Sequence, residues 1–211
     1  MSTQAELRCR CGEVRGIVTD ASSRNVNRVV CYCDDCQAFA HQLGRADLLD
    51  AHGGSDIVQC APAAVTFARG QQHIVGLRLS PKGLYRWHTR CCNTPVGNTL
   101  TPQIPFVGIV AQAFENPDGA FGKPAGAIFG KFAVGGAPPG STRLNLPLLL
   151  RAISRVLGWR LRGRSWPHPF FARDTGVPLF SVSVIERDRR EALRRLCGPA
   201  PSVPAGAQAP Q

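Results

Sequence analysis

Over much of this chain hydrophobic and polar positions alternate in short runs, and a period of two predicts strands. Glu13–Thr19 and Val26–Tyr32 are the first two runs, and the second runs into a cysteine motif. Later runs cover Asp56–Gln59, Ala64–Ala68, His73–Leu79, Leu84–His88, Phe106–Phe114 and Ala127–Val134. Gly70, Pro81-Lys82-Gly83, Pro102, Pro105 and Asn116-Pro117-Asp118-Gly119 separate them. Such residues break regular structure by allowing left-handed backbone or by withholding an N–H. Short, closely spaced strands predict a mainly β (α+β) fold of antiparallel sheets rather than alternating βαβ units. Ala38–Asp50 is the helix expected early in the chain, with Leu43, Leu48 and Leu49 as apolar points and Gly53-Gly54 beyond its end. Residues 1–12 read as a short polar lead-in.

The pattern changes at Gly135–Gly140, which reads as a linker. Leu144–Arg162 then has helical periodicity, with Leu149, Ile153, Val156, Leu157 and Leu161 on one side and Arg151, Arg155, Arg160 and Arg162 largely elsewhere. Its default reading is a helix that packs its leucines on the β core and leaves arginine in solvent. Trp166–Phe171 would fill the seam. A strand over Leu179–Ile185 and a short charged helix over Glu186–Leu196 follow, stopped by Gly198-Pro199. The expected organisation is a core of residues 1–134, a C-terminal helical extension of residues 135–198 packed on it, and a disordered Pro/Ala/Gly/Gln tail over 199–211.

At 211 residues the chain is long enough to bury a substantial core. No apolar run approaches the ~18–20 residues a spanning helix needs, so no transmembrane segment is expected. The start of the chain lacks the basic residues and apolar run of a secretion signal, and a cytoplasmic protein is expected. Nine cysteines in that setting predict reduced thiols available to metal rather than a disulfide framework. The net charge of +11 points toward nucleic acid, an anionic membrane surface or acidic small ligands. Much of it is arginine between Arg143 and Arg195, with Trp159, Trp166, Phe170 and Phe171 interleaved. A nucleic-acid partner would use such a surface, and a basic amphipathic helix could also lie on a membrane surface, but the packed helix is the favoured reading.

The chemistry concentrates at Cys31-Tyr32-Cys33-Asp34-Asp35-Cys36-Gln37. A C-x-x-C turn lets two sulfurs converge on one ion, and Cys31 can supply a third corner of a tetrahedron. Thiolates suit Zn²⁺, and three protein ligands with one open corner is the arrangement of a catalytic zinc. A lone C-x-x-C is more often a chance spacing, but Cys9/Cys11 and Cys91/Cys92 stand with this one. Packing alone is a poor explanation for thiols clustered in three places. One or two Zn²⁺ per chain are expected.

Along the chain stand C-x-C-G at Cys9–Gly12, C-x-C-x-x-C-Q at Cys31–Gln37, a glycine-rich break, and C-x-T-P at Cys92–Pro95. This order resembles the glutathione-dependent formaldehyde-activating enzyme family, which includes centromere protein V, over about residues 7–115. The resemblance implies a zinc-binding β "tent" and a carbon–sulfur lyase that joins a small thiol such as glutathione to formaldehyde. It places Cys31, Cys33 and Cys36 at the catalytic zinc and Cys9 and Cys11 in the first half of a four-cysteine structural zinc. The second half departs from the family's C-x-x-C-G-T-P. Cys92 aligns with its second cysteine, Thr89 stands where the first belongs, and Asn93 replaces glycine. Cys91 can take over the missing place; the alternatives are His88 or Cys60 as fourth ligand, a three-cysteine zinc, or no second zinc.

The remaining candidates have ordinary readings beside functional ones. His41, five residues after Cys36, suits a fourth ligand or a general base, and more commonly such a histidine is a plain helix residue. Arg45, Arg78, Arg86 and Lys82 suit the carboxylates of a peptide thiol, with solvated surface cations as the default. Asp34 and Asp35 are expected to shape the loop through side-chain-to-backbone hydrogen bonds, or to soften the field around the zinc. Cys60 reads as a buried small hydrophobe and Cys197 as an incidental thiol. The alternative to an enzyme is a zinc-stabilised module that binds nucleic acid or a protein without catalysis.

Overall fold

The computed structural model describes residues 3–143 and 145–199. Its strands are β1 (Gln4–Arg8), β2 (Arg15–Thr19), β3 (Asn27–Cys31), β4 (Ser55–Cys60), β5 (Val65–Arg69), β6 (Ile74–Arg78), β7 (Tyr85–Thr89), β8 (Pro95–Thr99), β9 (Val107–Val110), β10 (Ala127–Ile128) and β11 (Val182–Val184). Its helices are α1 (Asp34–Gln42), α2 (Pro117–Phe121), α3 (Leu146–Leu161) and α4 (Arg187–Arg194). The fold is mainly β, as the alternation predicts. The tail expected over 199–211 lies, but for Pro199, outside the described residues.

Two sheets form, a small one in the order β1-β2-β5 and a large one in the order β10-β3-β4-β9-β8-β7-β6-β11. The small sheet and the centre of the large one are antiparallel. Both edges of the large sheet are parallel additions, β10 on β3 and β11 on β6. These are short strands that return from the middle and the C-terminal part of the chain, and they add parallel edge pairs to sheets otherwise antiparallel, as expected.

Alternation along β6 and β7 divides the core. Ile74 and Trp87 face the main cluster, which reaches the small sheet through Val18, Val65 and Phe67. Leu77 and Leu79 face a second cluster with Ala38, Phe39 and Leu43 of the α1 segment and Leu193 of α4. Trp87 is fully buried, donates its indole N–H to the Thr99 hydroxyl at 2.9 Å, and stacks on Phe170 with ring centroids 4.8 Å apart. Gly76 and Gly97 make room for this stack. A Cβ at Gly97 would lie 2.5 Å from the Phe170 ring, and one at Gly76 would lie 2.8 Å from Trp87. The segment after residue 135 thus supplies Trp159, Phe170 and Phe171 to the same core as the strands.

Several elements differ from the sequence expectation, each for a physical reason. The early helix spans Asp34–Gln42 instead of 38–50, because Gly44 takes left-handed backbone (φ 65°) and ends it. The 3₁₀ turn Ala46–Leu48 follows. Two strands were not expected. β1 shows only Ala5 and Leu7 as its inward points, and β8 contains Pro95 and Gly97, residues that read as turn. Yet β8 is wholly buried, paired with β7 and β9, and its glycine is what the Phe170 ring requires. The turn expected at Asn116–Gly119 opens the short helix α2, with Asn116 capping it. Arg28 pins that helix, pairing with Asp56 at 2.7 Å and Asp118 at 2.6 Å.

The leucine stripe of α3 also faces the other way. Leu148 and Trp159 are its buried residues, whereas Leu149, Ile153, Leu157 and Leu161 are exposed.

Truncating the fully buried Phe170 to alanine is expected to destabilise the protein by about 3–5 kcal/mol, read from the urea midpoint. Because its ring belongs to the common core, loss should be seen in one transition. A separate early transition would show that the C-terminal part folds independently.

Candidate metal centres

The chain enters the first centre along β3, whose last residue is Cys31, and leaves it by α1. Cys33 is the N-cap of α1, its Sγ accepting the Cys36 N–H at 3.4 Å. The short connection through Tyr32 and Cys33 therefore aims three sulfurs at one point. The sulfurs of Cys31, Cys33 and Cys36 all lie within 4.8 Å of one another. Cys31 and Cys36 are 3.8 Å apart, close to the ~3.8 Å edge of a tetrahedron with metal–sulfur bonds of about 2.3 Å. The residues fit a metal ion.

Arg86 of β7 completes this site. It is 1% exposed, and its Nη1 lies 3.9 Å from the Cys36 sulfur and 3.4 Å from Asn98 Oδ1. Phe39 of α1 lies under its guanidinium, 5.3 Å from centroid to Cζ. Hydrogen bonds from Cys31 and Cys33, helped by the nearby Arg86 charge, hold the Cys36 thiol well below its ordinary range despite burial. Cys31 is pushed up by its bonds to Cys33 and Cys36 and by burial. Cys33, drawn down by Cys31, is pushed further up by Cys36 and burial, to about 12. The thiol held low is the one whose sulfur lies within 3.9 Å of the guanidinium.

Asp34 and Asp35 occupy the first turn of α1, where the helix dipole favours acids. Asp34 accepts the Asp35 N–H at 2.9 Å, the loop-shaping bond expected. Both also pair with Arg194 of α4, and Asp35 lies 3.8 Å from Arg86. Gly198 N–H donates to the buried Gln37 at 2.8 Å. Cys197, read as incidental, sits against the Asp34 carbonyl at 3.4 Å. The C-terminal segment therefore braces the start of α1. The three cysteines and Arg86 line a cavity of ≈360 Å³, whose other walls include Ile57, Leu84, Phe106, Ile128 and Phe129.

The second centre joins the two sheets. Cys9 and Cys11 lie in the turn after β1, and Cys91 and Cys92 in the turn between β7 and β8. Their four sulfurs also lie within 4.8 Å of one another. The separations are 3.5 Å for Cys9–Cys11, 3.3 Å for Cys11–Cys91, 4.0 Å for Cys9–Cys91 and 3.9 Å for Cys91–Cys92. Asn93 makes this geometry available. Its left-handed backbone (φ 54°) kinks the turn so that adjacent cysteines face one point, and its side chain anchors to the Leu43 carbonyl at 3.0 Å.

Of the alternatives for the missing ligand, Cys91 joins this cluster. Cys60 is buried against the Val107 carbonyl, and His88 packs edge-on against Phe39. Thr89, in the place of the expected cysteine, puts its hydroxyl 3.4 Å from Cys92. Burial opposes ionisation of Cys92, but the hydroxyls of Thr89 and Thr94 pull its thiol down to about 5. Arg45 adds support, pairing with Asp47 at 2.8 Å and reaching Thr94 at 3.3 Å.

Seven cysteines singled out in the sequence therefore assemble into two clusters. His41 is in the last turn of α1 and in neither of them. Arg45 and Arg86 are buried, contrary to the surface reading, while Arg78 lies over Tyr85. Asn98 and Arg194 were not anticipated. The available signal for Arg86 was a cation inside the apolar run Leu84–His88, on the opposite strand face from Trp87.

A mainly β protein with one three-thiol and one four-thiol cluster is a candidate two-site metal protein. Residues 1–182 match a family of unknown function (DUF6151), and the chain belongs to that family. No curated protein matches it. The matched stretch contains both clusters, α3 and the aromatic loop, and ends in β11.

Asn93→Val, whose branched side chain resists left-handed backbone, is expected to cost about 1–2 kcal/mol and to release the metal held at Cys9, Cys11, Cys91 and Cys92. Asn93→Gly should keep it. Equal metal content in the two variants, measured by mass spectrometry, would show that this kink does not set the cluster.

Proposed function

We propose that the protein is a zinc-dependent carbon–sulfur lyase acting on adducts of a small thiol, such as glutathione, with an aldehyde such as formaldehyde. One observation carries this reading: three thiols and a buried guanidinium converge on the wall of a cavity large enough for a small molecule. Four thiols at the other cluster can complete a tetrahedron unaided, which suits a structural role. A binding module without catalysis has no evident need of a three-thiol set that faces a cavity. The resemblance in motif order supports the same reaction class.

In the forward direction a bond forms between the thiol sulfur and the carbonyl carbon. The carbonyl π bond breaks, and the proton lost by the thiol ends on the new hydroxyl oxygen. The reverse reaction is the lyase direction. Zinc, when bound by Cys31, Cys33 and Cys36, would supply acidity to a thiol and a Lewis-acid contact for a carbonyl oxygen.

The chain's own residues shape the rest. Three thiolates and a divalent ion carry one net negative charge, which Arg86 balances. Asn98 fixes the guanidinium from one side and Phe39 from its face, so it stays aimed at the cavity. Ile57, Phe106 and Ile128 give the cavity apolar walls, which screen charge interactions less than water does. Beyond Phe129 the cavity adjoins a groove lined by Lys131 and Arg143. These cations suit the carboxylates of a peptide thiol.

The test is the exchange rate between free ¹³C-formaldehyde and its glutathione adduct, measured by NMR exchange spectroscopy. Zinc-loaded protein should accelerate exchange, Cys36→Ser should abolish the effect, and Arg86→Met should lower it by ~10-fold or more, about 1.4 kcal/mol of barrier. No acceleration with glutathione, cysteine or coenzyme A would overturn the proposal.

A further inference from the structure

Helix α3 turns two different apolar sides to its surroundings. Leu148 and Trp159 anchor it to the body, while Leu146, Leu149, Leu150, Ile153, Leu157 and Leu161 stand outside. The exposed residues recur at helical spacing and form a stripe along all 16 residues, about 24 Å. Each is 40–78% exposed. Soluble proteins scatter single apolar residues on their surfaces, but an unbroken stripe of six marks a contact surface. Phe129, 51% exposed, lines the same groove as Leu149 and extends the apolar surface toward the three-cysteine cavity.

Charge selects the occupant. Between Asp118 and Asp174 the sequence holds nine lysines and arginines and no acidic residue. Arg160 is exposed within α3, and exposed Arg162 and Arg143 flank it. A second copy of the chain would bring like-charged rims together. Nucleic acid would satisfy the arginines but set phosphates against leucine. Residues 200–211 contain one large apolar side chain, Val203, too little to cover six. An anionic bilayer offers both requirements in the right places, hydrocarbon beneath and negative headgroups around the rim. No helix among the described residues is long and apolar enough to cross a membrane, so contact would be interfacial.

We propose that α3 is an interfacial helix, which docks this protein on an anionic lipid surface with Leu146, Leu150, Ile153, Leu157 and Leu161 immersed and the flanking arginines at headgroup level. The proposal stands on the α3 surface alone and is independent of the reaction at the cysteines.

The experiment is flotation of the full-length, metal-loaded protein with vesicles of phosphatidylcholine alone or mixed with phosphatidylglycerol. The protein should float with the mixed vesicles and at least tenfold less with neutral ones. The double variant Ile153→Glu, Leu157→Glu should lose at least tenfold in partitioning with metal content and melting temperature unchanged, since both side chains are exposed. No flotation at low ionic strength would overturn the proposal, as would flotation unaffected by the double variant. A dimer that the double variant dissociates, without vesicle binding by the parent, would assign the stripe to a second copy instead. Tight binding to duplex DNA that survives the double variant, again without vesicle binding, would assign the charge to nucleic acid.

Discussion

The pleat of β7 sends Arg86 and His88 to the side of the large sheet covered by α1, and Trp87 to the side covered by Phe170. Both sulfur clusters depend on this alternation. Trp87, locked between Gly76, Gly97 and Thr99, fixes the height and register of the β7–β8 hairpin. With the hairpin fixed, Arg86 and Asn98 arrive beside Cys36, and the tip of the same hairpin delivers Cys91 and Cys92 to Cys9 and Cys11. A one-residue slip would exchange the two faces and put the guanidinium into the apolar core.

A buried guanidinium and a cluster of three thiols each carry a cost alone. Removing an arginine from water costs several kcal/mol unless an opposite charge is near, and close-packed sulfurs resist ionising together. Placed side by side they relieve one another, and Asp35 and Arg194 extend the arrangement to the surface. This mutual dependence explains why α4, far along the chain, packs on α1 through a pair of acids in the first turn of the metal motif. It also divides the two centres. The four-cysteine cluster is supported directly by the hydroxyls of Thr89 and Thr94, with Arg45 behind Thr94, and ties β1 to the β7–β8 turn.

Features set by short-range chemistry were legible in the sequence. Cys31, Cys33 and Cys36 announce themselves by spacing, and most strands by alternation between Gly and Pro. What depended on distant parts of the chain was not. β8 carries Pro95 and Gly97, which argue against a strand until Phe170 is seen to need the glycine. Arg86 reads as a surface cation because nothing local shows the sulfurs brought to it. Helix α3 was recognised as amphipathic, but with leucine on two sides its periodicity cannot say which faces inward. Trp159, one aromatic ring with a place in the core, decides that. The choice of Cys91 over His88 or Cys60 turned on the left-handed backbone at Asn93.

The central claim is that one chain holds two unlike sulfur sites, a closed four-thiolate centre and a three-thiolate centre with a position for a small molecule. X-ray absorption at the zinc edge on protein loaded with two equivalents of zinc tests it most directly. The account predicts a mean of about 3.5 sulfurs per zinc at about 2.3 Å, with a light-atom contribution that disappears in Cys36→Ser once the released metal is removed. Four sulfurs per zinc and no light-atom ligand, or retention of only one zinc by the parent protein, would contradict it.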